Sequence, residues 1–239
     1  MAVIERNFEI GIRHIGKSNL ITNYGFLCLL EDIACIHSNN VGYGINQVLQ
    51  THLSWVLLHW KVSIFKRVCF GTKVTVKSWA RPSNGISTLR DFEIYDNEDN
   101  LICIASSKWV LVNTESGSIT RIPEDFNTLY NTEEKSVFNE NDISKLREPS
   151  STSLNFSFNV LRRDIDLNEH MHNLYYLSYA YEALPKEIYE NNKFNNFEIM
   201  YKTGSKLGET VDCYYTLEDD NHYVVMKTDN KLHAIVKFN

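Results

Sequence analysis

The sequence has no long apolar run, no patterned cysteines and no excess of basic charge. Its longest apolar stretch, around Trp55 to Leu58, falls far short of the ~20 residues a helix needs to cross a bilayer, so no membrane span is expected. Glu5 and Arg6 are followed by no apolar run, which argues against a secretory signal. Cys28, Cys35, Cys69, Cys103 and Cys213 form an odd set without Cys-x-x-Cys or metal-finger spacing, and most lie among apolar neighbours. Most therefore read as buried free thiols, and the protein as reduced and cytoplasmic. The formal net charge is -6 and the Lys and Arg residues are scattered, so no nucleic-acid partner is expected.

What is present suits a globular chain. A hydrophobic content of 43% over 239 residues allows a real core in one large domain or two small ones. Asn7 to Arg13 is expected as a strand leading through Gly16 to Asn19 into a helix with Leu27, Leu30 and Ala34 on its apolar face, ended by Asn39, Asn40 and Gly42. Trp60, Val62 and Ile64 alternate with Lys61, Ser63 and Phe65, and Val74 and Val76 alternate with Lys73, Thr75 and Lys77, as strands do. Pro82 to Gly85, Asp96 to Asn100 and Glu115 to Ser118 read as turns. Between Pro123 and Pro149 the chain is polar and acid-rich with little periodicity, as a linker would be. The second half then replays the first: Asn155-Phe156-Ser157-Phe158 echoes Asn7-Phe8-Glu9-Ile10, followed by a polar stretch, a helix and strands near 197–203, 210–217, 223–228 and 232–238. We therefore expect an α+β tandem repeat, with units 1–122 and 154–239 joined by a linker over 123–153, each an antiparallel sheet around one helix.

The halves differ in front of their helices. Gly16-Lys17-Ser18-Asn19 precedes the first, with no carboxylate or imidazole, whereas Asp166-Leu167-Asn168-Glu169-His170-Met171-His172-Asn173 precedes the second. Leu174, Leu177, Tyr181 and Leu184 recur at helical spacing behind this octet and Pro185 closes the run. If the octet is extended, Asp166, Asn168, His170 and His172 share one face. Three readings are open. Asp and Asn could simply cap the helix and shape a turn. His170 and His172 with Asp166 could hold a divalent ion. An acid, an amide and an imidazole side by side could also handle protons, which capping alone does not require. No Gly-x-Ser-x-Gly elbow occurs and no Cys adjoins the cluster.

The pattern Asp166-x-Asn168-x-His170-x-x-Asn173-x-x-Tyr176, then Glu182-x-x-Pro185, resembles the signature of the acyl-acyl carrier protein thioesterases. Trp55 to Lys61, Gly71-x-x-Val74, Ala105 to Val112 and Arg121-Ile122-Pro123 extend the likeness through the first half. The resemblance implies a double-hotdog fold, each half a curved antiparallel sheet around a central helix, that releases fatty acids from acyl carrier protein without metal or organic cofactor. It places catalysis on Asp166, Asn168 and His170, and His172 and Asn173 beside them are candidates for support. Asp166 would act as base toward water or as nucleophile, Asn168 would position, and His170 would pass the proton to the departing sulfur. Amides at the start of the second helix would suit the oxyanion. The first unit would bind the acyl chain, with Phe26, Leu27, Leu30 and Ile33 as lining candidates, and Lys66, Arg67, Arg162 and Arg163 would attract the carrier and its phosphopantetheine. Hydrolysis of acyl-coenzyme A and acyl binding without hydrolysis are the alternatives. The sequence departs from the signature at His172, where a second Asn is usual, and at Gly204-Ser205, where a Glu, next to a Cys in plant members, is usual. The imidazole of His172 is expected to approach Gly204.

Overall fold

Alternating burial builds the sheets. In the strand Lys73–Ala80, Val74 and Val76 are buried while Lys73 is exposed and Thr75 and Lys77 are half-buried. The computed structural model describes residues 2–239, and the chain divides into two compact units: residues up to Leu58 with Val62–Ile143, and His59–Lys61 with Ser144–Asn239.

The first unit contains β1 (Ile4–Glu9), α1 (Asn23–Asn40), α2 (Val48–Thr51), most of β2 (Leu53–Ile64), β3 (Lys73–Ala80), β4 (Ser87–Tyr95), β5 (Leu101–Asn113), β6 (Ile119–Thr120) and α3 (Phe126–Tyr130). Its strand order is β1-β3-β4-β5-β2, with β6 paired to β5. Thr22 caps α1 by accepting the Gly25 N–H at 3.0 Å, a contact worth about 1 kcal/mol. Phe26, Leu27, Leu30, Ile33 and Ala34 form the buried face of α1, which lies against β1 and β3.

The second unit contains β7 (Ser153–Asn159), α4 (Asn173–Glu182), α5 (Lys186–Asn191), β8 (Asn196–Tyr201), β9 (Thr210–Glu218), β10 (Asn221–Thr228) and β11 (Lys231–Phe238). Its order is β8-β11-β10-β9-β7, every pairing antiparallel. Leu174, Tyr176, Leu177 and Ala180 are the buried face of α4, which meets β11.

Part of the expected linker is built into the first unit, which runs to Ile143. There α3 sets Phe126 and Tyr130 into a cluster with Ala80, Leu111 and Ile122. The following segment lies across the strands: Trp79 Nε1–H donates to the Lys135 carbonyl at 2.9 Å, Arg81 to the Glu140 carbonyl at 2.7 Å, and the Val137 N–H to buried Asp91 at 3.1 Å. These single anchors leave no periodicity in the sequence. No helix among the described residues is long and apolar enough to cross a membrane.

The two units repeat one hydrogen-bond skeleton ahead of their helices. Gly16 N–H donates to the Leu20 carbonyl at 3.0 Å, as Asp166 N–H does to His170 at 2.9 Å. Ile21 N–H donates to Val68 at 2.9 Å, as Met171 N–H does to Ser205 at 2.8 Å. Bridges Ile15 to Ile21 and Ile165 to Met171 close both loops, and Asn19 and Glu169 both stand at left-handed φ, 57° and 59°. The residue pairs Gly16/Asp166, Ser18/Asn168, Leu20/His170, Phe26/Tyr176, Arg67/Gly204 and Val68/Ser205 therefore occupy equivalent positions.

Candidate active site

The octet is a tight loop and not the extended face expected from its alternation. Asp166 Oδ1 accepts the N–H of Asn168 at 2.8 Å and that of His170 at 3.3 Å. Asp side chains favour this kind of turn, and the local bonds outcompete a strand. Asp166 and His170 are half-buried and Asn168 is exposed. Since Gly16 closes the same loop in the first unit without a side chain, the fold does not demand the Asp166 carboxylate. Capping chemistry alone thus leaves the carboxylate unexplained.

His170 Nδ1 lies 2.7 Å from the main-chain carbonyl of Asn168. A carbonyl can only accept, so Nδ1 carries the proton and the neutral ring presents its lone pair at Nε2. Behind the ring stands Gly204, in the loop after β8. A β-carbon there would lie 2.6 Å from His170 Cδ2 and 2.9 Å from Cγ. The expected partner of Gly204 was His172, but the nearest side chain is that of His170. His172 is instead the N-cap of α4, its Nδ1 accepting the Leu174 N–H at 3.4 Å and its carbonyl the Tyr175 N–H at 3.0 Å. Those two amides are therefore engaged and do not stand ready for an oxyanion. Asn173 opens α4, its carbonyl accepting the Tyr201 hydroxyl at 3.0 Å.

Of two buried groups beside the loop, Asp164 and Ser205, the first has no signal in the sequence. Asp164, 1% exposed, accepts the Leu161 N–H and the Tyr179 hydroxyl, both at 2.9 Å; burial and this carboxylate raise the Tyr179 pKa. Ser205 is wholly buried and bonded to Tyr176. Among the described residues no group of three or more His, Cys, Asp or Glu is placed to hold a metal ion.

The remaining expected residues lie elsewhere. Phe26, Leu27, Leu30 and Ile33 are wholly buried, and packing of α1 on its sheet accounts for them. Lys66 pairs with Asp96 at 2.6 Å, and Arg67 donates to the Ile21 carbonyl at 2.9 Å and to Asn23 Oδ1 at 2.6 Å. These two of the four cations expected at a carrier surface are thus engaged within the first unit. Arg162 and Arg163 are exposed, the second 3.6 Å from Asp164.

Residues 2–130 match the model of the acyl-ACP thioesterase N-terminal domain, and residues 147–236 that of the C-terminal domain. The chain belongs to the acyl-ACP thioesterase family. An oleoyl-acyl carrier protein thioesterase of Arabidopsis thaliana, a chloroplastic protein, is 27% identical over 238 residues, covering 92% of this chain and 63% of that protein. The chain thus spans less than two thirds of such relatives' length. An acyl-ACP thioesterase from Bacteroides thetaiotaomicron superimposes with a TM-score of 0.88 at 19% identity, covering 99% of this chain and 97% of the other. A 12:0-ACP thioesterase from Umbellularia californica gives 0.87 at 19% identity, covering 100% and 97%. The fold of this family member is the double hotdog.

Proposed function

We propose that this chain hydrolyses fatty acyl-acyl carrier protein to free fatty acid and carrier in fatty acid biosynthesis, with His170 as the group that moves the proton. The observation that carries the reading is the His170 tautomer, fixed by the Asn168 carbonyl at 2.7 Å, in a loop whose first-unit counterpart has Leu20 at that position. Nε2 takes a proton from water as its oxygen attacks the thioester carbon. When the C–S bond breaks, the imidazolium returns that proton to the sulfur, giving acid and thiol. Such a positioned group supplies roughly 10²–10⁴-fold. Asp166, whose Oδ1 accepts the main-chain N–H of His170, contributes a negative charge to the loop that presents the ring. This moves the proton acceptor from Asp166, where sequence placed it, to His170. The side chain of Asn168, exposed at the loop's turn, positions water or the thioester carbonyl in this reading.

Arg162 and Arg163 are exposed, as is Lys66 beside Asp96, and in this reading these cations meet an acidic carrier protein and its phosphopantetheine. Five free cysteines suit a reducing compartment, the cytoplasm in this reading. The test is mass analysis after incubation with acyl-acyl carrier protein and with acyl-coenzyme A. Free acid from the carrier, lost in His170→Gln, supports the reading. Free acid from coenzyme A alone, or acyl chains bound intact, overturns it.

A further inference from the structure

Tyr176 and Ser205 make a closed pair of hydrogen bonds beside the catalytic loop. The Tyr176 hydroxyl donates to Ser205 Oγ at 3.1 Å and accepts the Ser205 N–H at 3.0 Å. Both residues are buried, at 2% and 0% exposure, and burial raises the Tyr176 pKa. Ser205 is also tied to the loop itself, its carbonyl taking the Met171 N–H at 2.8 Å. The residue between this clamp and the imidazole is Gly204, whose α-carbon backs the His170 ring.

The first unit serves as an internal control. At the positions of Tyr176, Ser205 and Gly204 it has Phe26, Val68 and Arg67, and the skeleton bond from Ile21 N–H to the Val68 carbonyl forms all the same, at 2.9 Å. Two apolar side chains therefore suffice for the fold at this corner. Burying two hydroxyls has a desolvation cost that their mutual bond little more than offsets. The pair occurs only in the unit whose loop carries an imidazole. A glycine peptide is free to rotate, and the phenol fixes it by holding the next N–H.

We propose that Tyr176, acting through Ser205, is a positioning residue: it pins the Gly204–Ser205 peptide so that His170 is held in its working pose. The inference rests on the proposed hydrolysis for its catalytic meaning but not for its geometry.

The test converts the corner to the first unit's pair, Tyr176→Phe with Ser205→Val, alongside Tyr176→Phe with Ser205→Ala in case valine crowds the site. Melting should change little, because an apolar pair folds here already. For a displacement of the ring of about 1 Å, kcat on acyl-acyl carrier protein should fall by up to about 10²-fold, with KM unchanged. Independently of substrate, the carbethoxylation rate of His170 by diethyl pyrocarbonate and its imidazole nitrogen NMR shifts should both move. Folded variants with His170 reactivity and shifts unchanged would overturn the proposal, as would unfolding of both variants, since the hydroxyls would then be structural. Should the native protein hydrolyse no thioester while the substitutions still move the His170 signals, the positioning role stands and the proposed hydrolysis falls.

Discussion

The imidazole of His170 and the main chain of Asn168 form one unit: Nδ1 stands 2.7 Å from the Asn168 carbonyl, so the loop that presents the ring also sets its tautomer. The carbonyl is held in turn by the loop, which Asp166 closes by accepting two N–H groups on Oδ1. Ring, carbonyl and carboxylate thus depend on one short turn of backbone.

Asp166→Asn separates the turn from the charge. The amide oxygen of Asn can accept the same two N–H bonds, so the loop should close and melting should stay within a few degrees of the native protein. The negative charge beside His170 is lost, and kcat should fall by about 10²-fold or more while KM holds. Steady-state kinetics on a folded variant decide the matter, and near-normal turnover would remove Asp166 from the mechanism.

Much of the fold was legible because it is periodic. Val74 and Val76 bury as their alternation requires, and α4 begins at Asn173, where helical spacing placed it. The octet was misread because polar residues at alternate positions resemble a strand face, whereas Asp166 and the left-handed Glu169 make a turn. Other features depend on partners far away in sequence. Tyr130, inside the expected linker, donates to Ser38 across 92 positions at 3.0 Å, and Tyr176 meets Ser205 across 29. Arg67 read as a surface cation, yet carbonyl oxygens of its own unit draw it in. No local pattern encodes such contacts.

A chelator should leave hydrolysis unchanged. Nδ1 of His170 is committed to the Asn168 carbonyl and Nδ1 of His172 to the Leu174 N–H, and Asp166 Oδ1 is committed to two amides. Activity lost on dialysis against EDTA and restored by zinc would instead favour a metal-bound hydroxide.

Acid should destabilise the first unit through His37. This ring is 4% exposed, its Nδ1 accepts from the buried Arg90 at 3.1 Å, and it stands edge-on to Tyr130. Burial, then the Arg90 cation, lowers its pKa to about 3. In the unfolded chain it titrates near 6.5. Below that pH the unfolded state takes up a proton that the folded state refuses until about 3. Stability is therefore full above about 6.5 and falls as pH drops through this window, by at most about 1.4 kcal/mol per pH unit from this group. His37→Gln keeps an acceptor for Arg90 and removes the titration. Its melting temperature should decline less steeply from pH 6.5 to 4 than that of the native protein. Equal slopes would assign the acid sensitivity to other groups, of which His233 and His14, also lowered mainly by burial, are the next to test.

Gly204 is the position where a single methyl group should matter most to the His170 ring. Its φ lies outside the left-handed region, so alanine meets no backbone strain and any effect is a matter of space. The new β-carbon would fall 2.6 Å from His170 Cδ2, and the ring must turn aside. Turning breaks the 2.7 Å bond to Asn168 and with it the control of the tautomer. Gly204→Ala should then lower kcat by about 10²-fold, the effect of misplacing a reacting group by about 1 Å, with KM nearly constant. In a His170→Ala background the same substitution should do far less, because only the 3.1 Å approach to the β-carbon at position 170 remains. Gly204→Glu should be at least as harmful. Adding His172→Asn should bring no recovery, since His172 caps α4 and is not the group that Gly204 accommodates. A double-mutant cycle measures this directly: strong coupling between positions 204 and 170 with near-additivity between 204 and 172 is expected, and the reverse pattern would show that the contact controlling the ring lies on the other side of the loop.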